Sequence, residues 1–320
     1  MRTTLSVVVP CRDEAATLEQ LVRRVLAAVS ATDPHVEIVV VDDGSTDTTL
    51  LELRRLAAAE PALRYLSFSR GFGKEAAVIA GLREARGDVV VLMDGDLQHP
   101  PEVITELVAT LRDTGADQVV GVRDRSGESA VRQALSRAFH SVAAHNTDVT
   151  LRPGHGDFRA VTRRVVDAVL AMHEVNRFNR GLFSWVGFDI REVAFTDATR
   201  SHGKSRWTTS GLLGYGVGGL LSFNERPLRI MVHLGWIAVL VFFAYVAYVL
   251  VTVVAFGIET PGYVTLIASI FFFGGLQLLS IGLLGEYLGR IYMEVKARPA
   301  YVLMESGPAE PADPGAGPSA

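Results

Sequence analysis

Val89-Val90-Val91-Leu92-Met93-Asp94-Gly95-Asp96, residues 89–96, is the stretch on which the fold turns. Five consecutive apolar residues are the pattern of a strand buried on both faces, as in a parallel sheet covered by helices. The run ends in two carboxylates separated by one glycine. In an open α/β sheet that position is the carboxyl edge, where ligands bind. Two neighbouring carboxylates repel unless a cation lies between them, and a divalent metal carrying a phosphorylated ligand is the usual solution. An acidic turn with glycine at positive φ accounts for the same residues equally well. The surrounding chain has to decide between them.

Working outward, strands and helices alternate over residues 1–225. Leu5-Ser6-Val7-Val8-Val9 reads as a strand ending at Pro10, and Glu14 to Val29 carries a helical stripe of Leu18, Leu21, Val22, Val25, Leu26 and Val29. Val36–Val41 is a second strand stopped by Asp42-Asp43-Gly44-Ser45, followed by a helix over 47–59. Leu63–Phe68 is a third strand and Lys74–Glu84 a third helix. A fourth helix over 101–113 follows the opening strand, with Pro101 early in its first turn. This order predicts a doubly wound parallel sheet.

Such a sheet brings several carboxyl edges to one place. Strand one runs into Pro10-Cys11-Arg12-Asp13-Glu14, strand two into Asp42-Asp43-Gly44-Ser45, and strand three into Ser69-Arg70-Gly71-Phe72-Gly73-Lys74. Each cluster alone fits an ordinary loop; four together point to a nucleotide pocket. Gly71-Phe72-Gly73-Lys74 is not a Walker loop, because Phe68 stands where its first glycine belongs and Glu75 follows the lysine. It reads as a tight strand-to-helix turn with Lys74 near an anionic ligand. Further on, Arg132 and Ser136 lie four apart in a helix expected over 128–144 and share one face. An arginine and a hydroxyl on one face suit a phosphate, and a solvated face is the alternative. His140, His145, His155 and His173 show no metal spacing.

Composition narrows the partners. A net charge of −4 and a pI near 6.1 give no reason to expect nucleic acid. The single Cys11 excludes an internal disulfide framework and a multi-cysteine metal site, which fits a reducing compartment. No secretory signal is expected at Met1-Arg2-Thr3-Thr4, so the first domain is expected in the cytoplasm. Met231–Phe256 and Tyr263–Gly285 hold no Asp, Glu, Lys or Arg. Each exceeds the ~20 residues that cross a bilayer as a helix. Arg226 and Arg229 before the pair, and Arg290, Lys296 and Arg298 after it, put both ends in the cytoplasm by the positive-inside rule. The expected organisation is a cytoplasmic domain over 1–225, a hairpin over 231–285 with spans 231–256 and 263–285, a cytoplasmic helix and strand-like segment over 286–305, and a Pro/Ala/Gly-rich disordered tail over 306–320. Within the first domain a nucleotide-sugar part spans about 1–122 and an acceptor part about 123–206. An interfacial segment follows at about 207–230.

The clusters in this order resemble family-2 glycosyltransferases, with Pro10…Glu14, Asp42-Asp43-Gly44-Ser45 and Asp94-x-Asp96. Asp-Gly-Asp-Leu-Gln-His-Pro-Pro over 94–101 and Gly-Lys-Glu-Ala over 73–76 resemble a narrower group, the polyprenyl-phosphate sugar synthases. This group holds the dolichol-phosphate mannose synthases and bactoprenol glucosyltransferases. Gly156-Asp157-Phe158-Arg159, Asn176-Arg177-Phe178, Gly181-Leu182-Phe183-x-Trp185-Val186-Gly187 and Gly285-Glu286-Tyr287-Leu288-Gly289-Arg290 are further matches, and the hairpin is of the bactoprenol type.

The resemblance implies an α/β, glycosyltransferase A-type Rossmann-like sheet, mostly parallel, followed by two transmembrane helices. It implies that Pro10, Glu14, Val41 and Asp43 hold the base and ribose of a nucleotide-sugar, with Asp94, Arg200 and Arg206 also in that site, where the turn read above places Lys74. Asp94 and Asp96, with Gln98, would hold Mg²⁺ or Mn²⁺ on the diphosphate. Arg123, Arg132 and Ser136 would grip the phosphate of a polyprenyl acceptor. Asp96 and Asp157 are the expected catalytic residues. Arg12 stands where the family usually has an aromatic residue, and a guanidinium plane can also stack on a base.

The implied enzyme is an inverting, metal-dependent glycosyltransferase of the cell envelope. It would move glucose from UDP-glucose to polyprenyl phosphate at the cytoplasmic face of the plasma membrane, as a multi-pass homo-oligomer with both termini inside. A GDP-mannose-dependent synthase is the alternative. A processive polysaccharide synthase would carry Gln-x-x-Arg-Trp, but Gly203 stands in place of the glutamine before Arg206-Trp207. A non-catalytic membrane scaffold predicts no turnover.

Overall fold

The computed structural model describes residues 4–30, 32–123, 155–172, 174, 177–195, 226–256 and 262–308. Two compact units divide the chain, Met1–Gly219 with Pro299–Ala320, and Leu220–Arg298. The first is built on strands β1 (Leu5–Cys11), β2 (Val36–Asp42), β3 (Leu63–Phe68), β4 (Val89–Leu92), β5 (Gln118–Arg123), β6 (His155–Thr162), β7 (Ile190–Phe195) and β8 (Leu303–Gly307). Its helices are α1 (Ala15–Val29), α2 (Thr49–Ala59), α3 (Lys74–Glu84), α4 (Val103–Thr114), α5 (Arg163–Leu170) and α6 (Asn179–Trp185).

The strands form one sheet in the order β7-β5-β6-β4-β1-β2-β3-β8. β1, β2, β3 and β4 run parallel, and β7 is parallel to β5. β6 is antiparallel to both β4 and β5, and β8 is antiparallel to β3. Alternation along the central strands sends Val7, Val9, Ile38 and Val40 into the core shared with α1, α2 and α4. Val8, Val39 and Val41 go into the opposite core with α3 and α5. Both faces are covered, which is why these strands read as unbroken apolar runs.

β1 continues past Pro10 to Cys11, one residue beyond the expected stop. The β4 partner ends at Leu92 opposite Val8, so no neighbour on that side asks for the missing proline N–H. α2 begins at Thr49 rather than 47, because the Asp47 carboxylate accepts the Thr49 N–H at 2.9 Å and occupies the entry turn. α3 matches the expected bounds, and α4 closes on Gly115 with φ +66°.

The second unit holds helices α7 (Arg226–Phe256) and α8 (Tyr263–Val295). Both expected spans lie inside them. Among the described residues one segment, Phe272–Val295, is long and apolar enough to cross a membrane, and Leu234–Tyr245 is a shorter apolar stretch. α8 runs unbroken through Gly285 to Val295, so the helix expected after 286 is a continuation of the same element. Ser306 and Gly307, expected in the tail, belong to β8. The rest of the tail, from 309, the helix expected over 128–144 and the interfacial segment over 207–225 lie outside the described residues.

Candidate active site

The parallel strands deliver their carboxyl ends to one edge. β6, being antiparallel, delivers its start there, since Leu92 stands opposite Arg159. Asp157 thereby joins the residues that follow β1 to β4.

The first two loops are knitted together. Asp13, at φ +53°, donates its N–H to Ser45 Oγ at 2.8 Å and accepts the Thr46 N–H at 2.7 Å. The Glu14 N–H bonds Thr49 Oγ1 at 2.9 Å, and the Asp43 N–H reaches the Cys11 carbonyl at 2.9 Å. The two carboxylates of Asp42-Asp43 have separate tasks. Buried Asp42 accepts the Ser45 N–H at 2.9 Å and the Ser67 hydroxyl at 2.8 Å. Asp43 accepts the N–H groups of Phe72 at 2.6 Å and Gly73 at 3.0 Å, with Arg12 3.8 Å away. Asp43 thus anchors the loop that leads to Lys74. The Val41 side chain is fully buried beneath α3, leaving only its main chain to face a ligand. Pro10 is half-buried, and its carbonyl lies against Gly95.

Lys74 opens α3 and is the electrostatic centre of the site. Its Nζ lies 2.5 Å from Asp94 Oδ1 and 2.7 Å from Asp157 Oδ2. Burial works against its charge, but the two carboxylates outweigh that and hold its pKa above the ordinary lysine value. Asp157 is also gripped by Arg180, from Nε at 2.7 Å and Nη2 at 3.0 Å, the two-pronged geometry that favours an ionised carboxylate. Burial again opposes the charge, and the Arg180 hydrogen bonds with the Lys74 and Arg180 charges overcome it. Asp157 is held far below the usual carboxylate range.

The Asp94-Gly95-Asp96 turn has its own fixings. The Asp94 N–H donates to His99 Nδ1 at 3.2 Å, so this ring nitrogen is the acceptor. The His99 ring stacks on Phe158 at 4.9 Å between centroids and 10° between planes, and meets Phe195 edge-on at 5.8 Å. Burial lowers the His99 pKa, which keeps that nitrogen unprotonated. Asp96 Oδ1 accepts the Gln98 N–H at 3.1 Å across Leu97, whose φ is +59°. Asp94 and Asp96 remain partly exposed at the edge. Among the described residues no three His, Cys, Asp or Glu side chains cluster as a complete metal site.

Three contributors were not singled out as site residues from the sequence. Arg180 fell in the gap between two quoted motifs, although a basic residue at the start of a helix bearing Gly-Leu-Phe was a usable signal. Asn179 docks α6 on α3, its N–H reaching Glu75 Oε2 at 2.8 Å and its Nδ2 the Glu75 carbonyl at 3.0 Å. Arg159 is buried, donates to the Gly156 carbonyl at 2.7 Å and lies 4.5 Å from the Phe183 ring centre. Burial pushes its pKa down to about 10. Arg123 ends β5 opposite Phe195, at the same sheet edge. Arg132, Ser136, Arg200 and Arg206 lie outside the described residues. His155 pairs with Glu192 at 2.9 Å.

A mostly parallel sheet with Asp-x-Asp at a central carboxyl edge is the A-type, Rossmann-like architecture of glycosyltransferases. The chain belongs to glycosyltransferase family 2, whose model matches residues 6–170, and a model of the GtrB C-terminal hairpin matches 226–291. It is 40% identical to a Bacillus subtilis protein named as a glycosyltransferase, CsbB, over 94% of this chain and 92% of the relative. It is 37% identical to the SfII prophage-derived bactoprenol glucosyl transferase of Shigella flexneri, over 94% and 98%. It is 36% identical to a prophage bactoprenol glucosyl transferase homolog of Escherichia coli, over 93% and 98%. The solved glucosyl-3-phosphoglycerate synthase of Mycobacterium tuberculosis is similar at 23% identity and a TM-score of 0.45, over 70% and 82%, a likeness too slight to carry an argument.

Proposed function

We propose that the protein transfers a hexose, glucose from UDP-glucose in the first instance, to the phosphate of a polyprenyl lipid at the cytoplasmic face of the membrane, with inversion. The observation that carries this reading is the meeting of Lys74, Asp94, Asp96 and Asp157 at one sheet edge, in a chain that continues into a GtrB-type hairpin. Both long helices span the membrane in this proposal, at 231–256 and 263–285, with the connector outside. The relatives named for bactoprenol glucosyl transfer support the acceptor and the sugar.

Asp94 and Asp96, with the Gln98 amide, offer hard oxygen donors, which suit Mg²⁺ or Mn²⁺. Asp94 already faces a cation in Lys74, so the position accepts positive charge. A small set of oxygen donors of this kind matches magnesium sites that the substrate's phosphates complete. When bound, the ion neutralises charge that builds on the departing nucleoside diphosphate. Pro10, Glu14, Val41 and Asp43 line the base and ribose, and Arg200 and Arg206 contact the diphosphate. Arg123, Arg132 and Ser136 bind the acceptor phosphate.

That phosphate is largely ionised near neutrality, its second pKa being about 6, so its attack on the anomeric carbon needs little help from a base. Asp157 has a different task. Held anionic by Lys74 and Arg180, it orients both cations toward the phosphoryl groups.

The test is turnover by the full chain in detergent, with Mg²⁺ or Mn²⁺, polyprenyl phosphate and a panel of labelled nucleotide-sugars. Lipid-linked glucose from UDP-glucose, lost on adding a chelator, is expected. Product from GDP-mannose alone would change the sugar, and no product from any donor would overturn the enzyme reading.

A further inference from the structure

The loop 69–73 joins β3 to α3 and is held from two sides. On one side stand residues of the nucleotide pocket. Asp43 takes the Phe72 and Gly73 N–H groups. Gly44, at φ +60°, packs so closely that an added Cβ would lie 2.3 Å from the Arg70 carbonyl carbon, and one added to Gly71 would lie 2.5 Å from the Arg12 guanidinium. On the other side is chain that follows α8 in sequence. The Ser69 N–H donates to the Val302 carbonyl at 2.9 Å, and Leu303 pairs with Phe68. The Tyr301 ring stacks on Phe68 at 4.9 Å and 12°, and Phe68 meets Phe72 edge-on at 5.8 Å and 88°. Tyr301, Phe68 and Phe72 form a continuous aromatic column whose last member carries an amide bonded to Asp43.

We infer that the segment Tyr301–Leu303 is a positioning element of the nucleotide pocket, with Tyr301 as its positioning residue. The inference rests on the nucleotide-sugar reading above. A loop with two glycines loses much freedom on ordering. Clamping it from both sides removes that loss before a ligand arrives, and pre-organisation of this kind lowers the cost of binding. The clamped loop supplies the backbone on which Asp43 bonds and from which Lys74 projects. The Tyr301–Leu303 segment comes from beyond α8 in sequence, so the nucleotide pocket is completed by β8 and the residues just before it rather than by the family-2 domain alone.

The experiment uses the full chain in detergent, with UDP and GDP in the presence of Mn²⁺ as calorimetric probes. Tyr301→Ala is expected to weaken binding of whichever nucleotide the unaltered protein takes by about 3- to 10-fold, the effect of losing one aromatic stack. KM for the nucleotide-sugar should rise by a similar factor with kcat nearly unchanged, and Tyr301→Phe should restore both. Should Tyr301→Ala fail to fold, Tyr301→Leu keeps apolar bulk without the ring and is expected to show the same KM rise. Unchanged affinity in a folded Tyr301→Ala or Tyr301→Leu protein would overturn the inference, as would a loss that phenylalanine fails to restore. If the unaltered protein binds neither UDP nor GDP, the nucleotide reading itself falls and the positioning role with it.

Discussion

Asp96 and Asp157 are both carboxylates at one sheet edge, yet their surroundings assign them opposite behaviour. Asp96 sits partly exposed on a tight turn, whereas Asp157 is locked between Lys74 and Arg180. Asp96→Asn is expected to cut lipid-linked product formation by about 10²-fold or more, with the melting temperature little changed. Turnover and thermal unfolding of the same preparation check it. Asp157→Asn is expected to act on stability as well, costing about 2 kcal/mol because Arg180 loses its two-pronged carboxylate and Lys74 keeps only Asp94. Its pH dependence follows from the depressed pKa of Asp157. A carboxylate with a lowered folded pKa contributes in full above its unfolded value of about 3.9 and loses that contribution only as pH falls below it. The stability gap between the two proteins should therefore be flat from about pH 5 to 8 and narrow below about pH 4. Denaturant unfolding at pH 3.5, 5 and 7 measures this, and a gap that already shrinks between pH 7 and 5 would contradict it.

Loops rather than strands decide the site at the scale of elements, and close backbone approach decides the loops. Gly44 is the clearest case, with φ +60° and no room for a Cβ against Arg70 and Gly71. Gly44→Ala should cost about 1–3 kcal/mol through a strained backbone and reduce nucleotide affinity by displacing the loop that Asp43 holds. A melting curve with a UDP titration checks both effects, and an alanine protein with normal values in each would remove Gly44 from the argument. The first four strands and helices were legible because their apolar residues repeat with period 2 or 3.6 and their loops carry glycine and aspartate. The Lys74–Asp157 pair, 83 residues apart in sequence, was not. It depends on β6 entering the sheet antiparallel, and no local residue pattern states a strand's direction.

For the whole molecule, two long helices follow the family-2 domain in sequence and β8 pairs at the edge of its sheet. The proposed two-span topology places Gly262, in the connector, outside the membrane, and the exposed Arg23 on α1 inside. Each becomes a unique labelling site when changed to cysteine in a Cys11→Ser background, Cys11 being the chain's only cysteine. A membrane-impermeant maleimide should label Gly262→Cys in intact spheroplasts and Arg23→Cys only after the membrane is opened. Equal labelling of both before opening would reject the topology.

Residue order alone was enough for an α/β sheet, an acidic pair at a strand end and two long apolar helices, because each is a local pattern of polarity and spacing. The tertiary structure decided which distant charges meet. It bonded Asp43 to a neighbouring loop, buried the Val41 side chain beneath α3, joined Asp157 to Lys74 and Arg180, and set Tyr301 against Phe68. Those contacts follow from strand order and direction, which the packing of the whole chain selects and no single segment encodes.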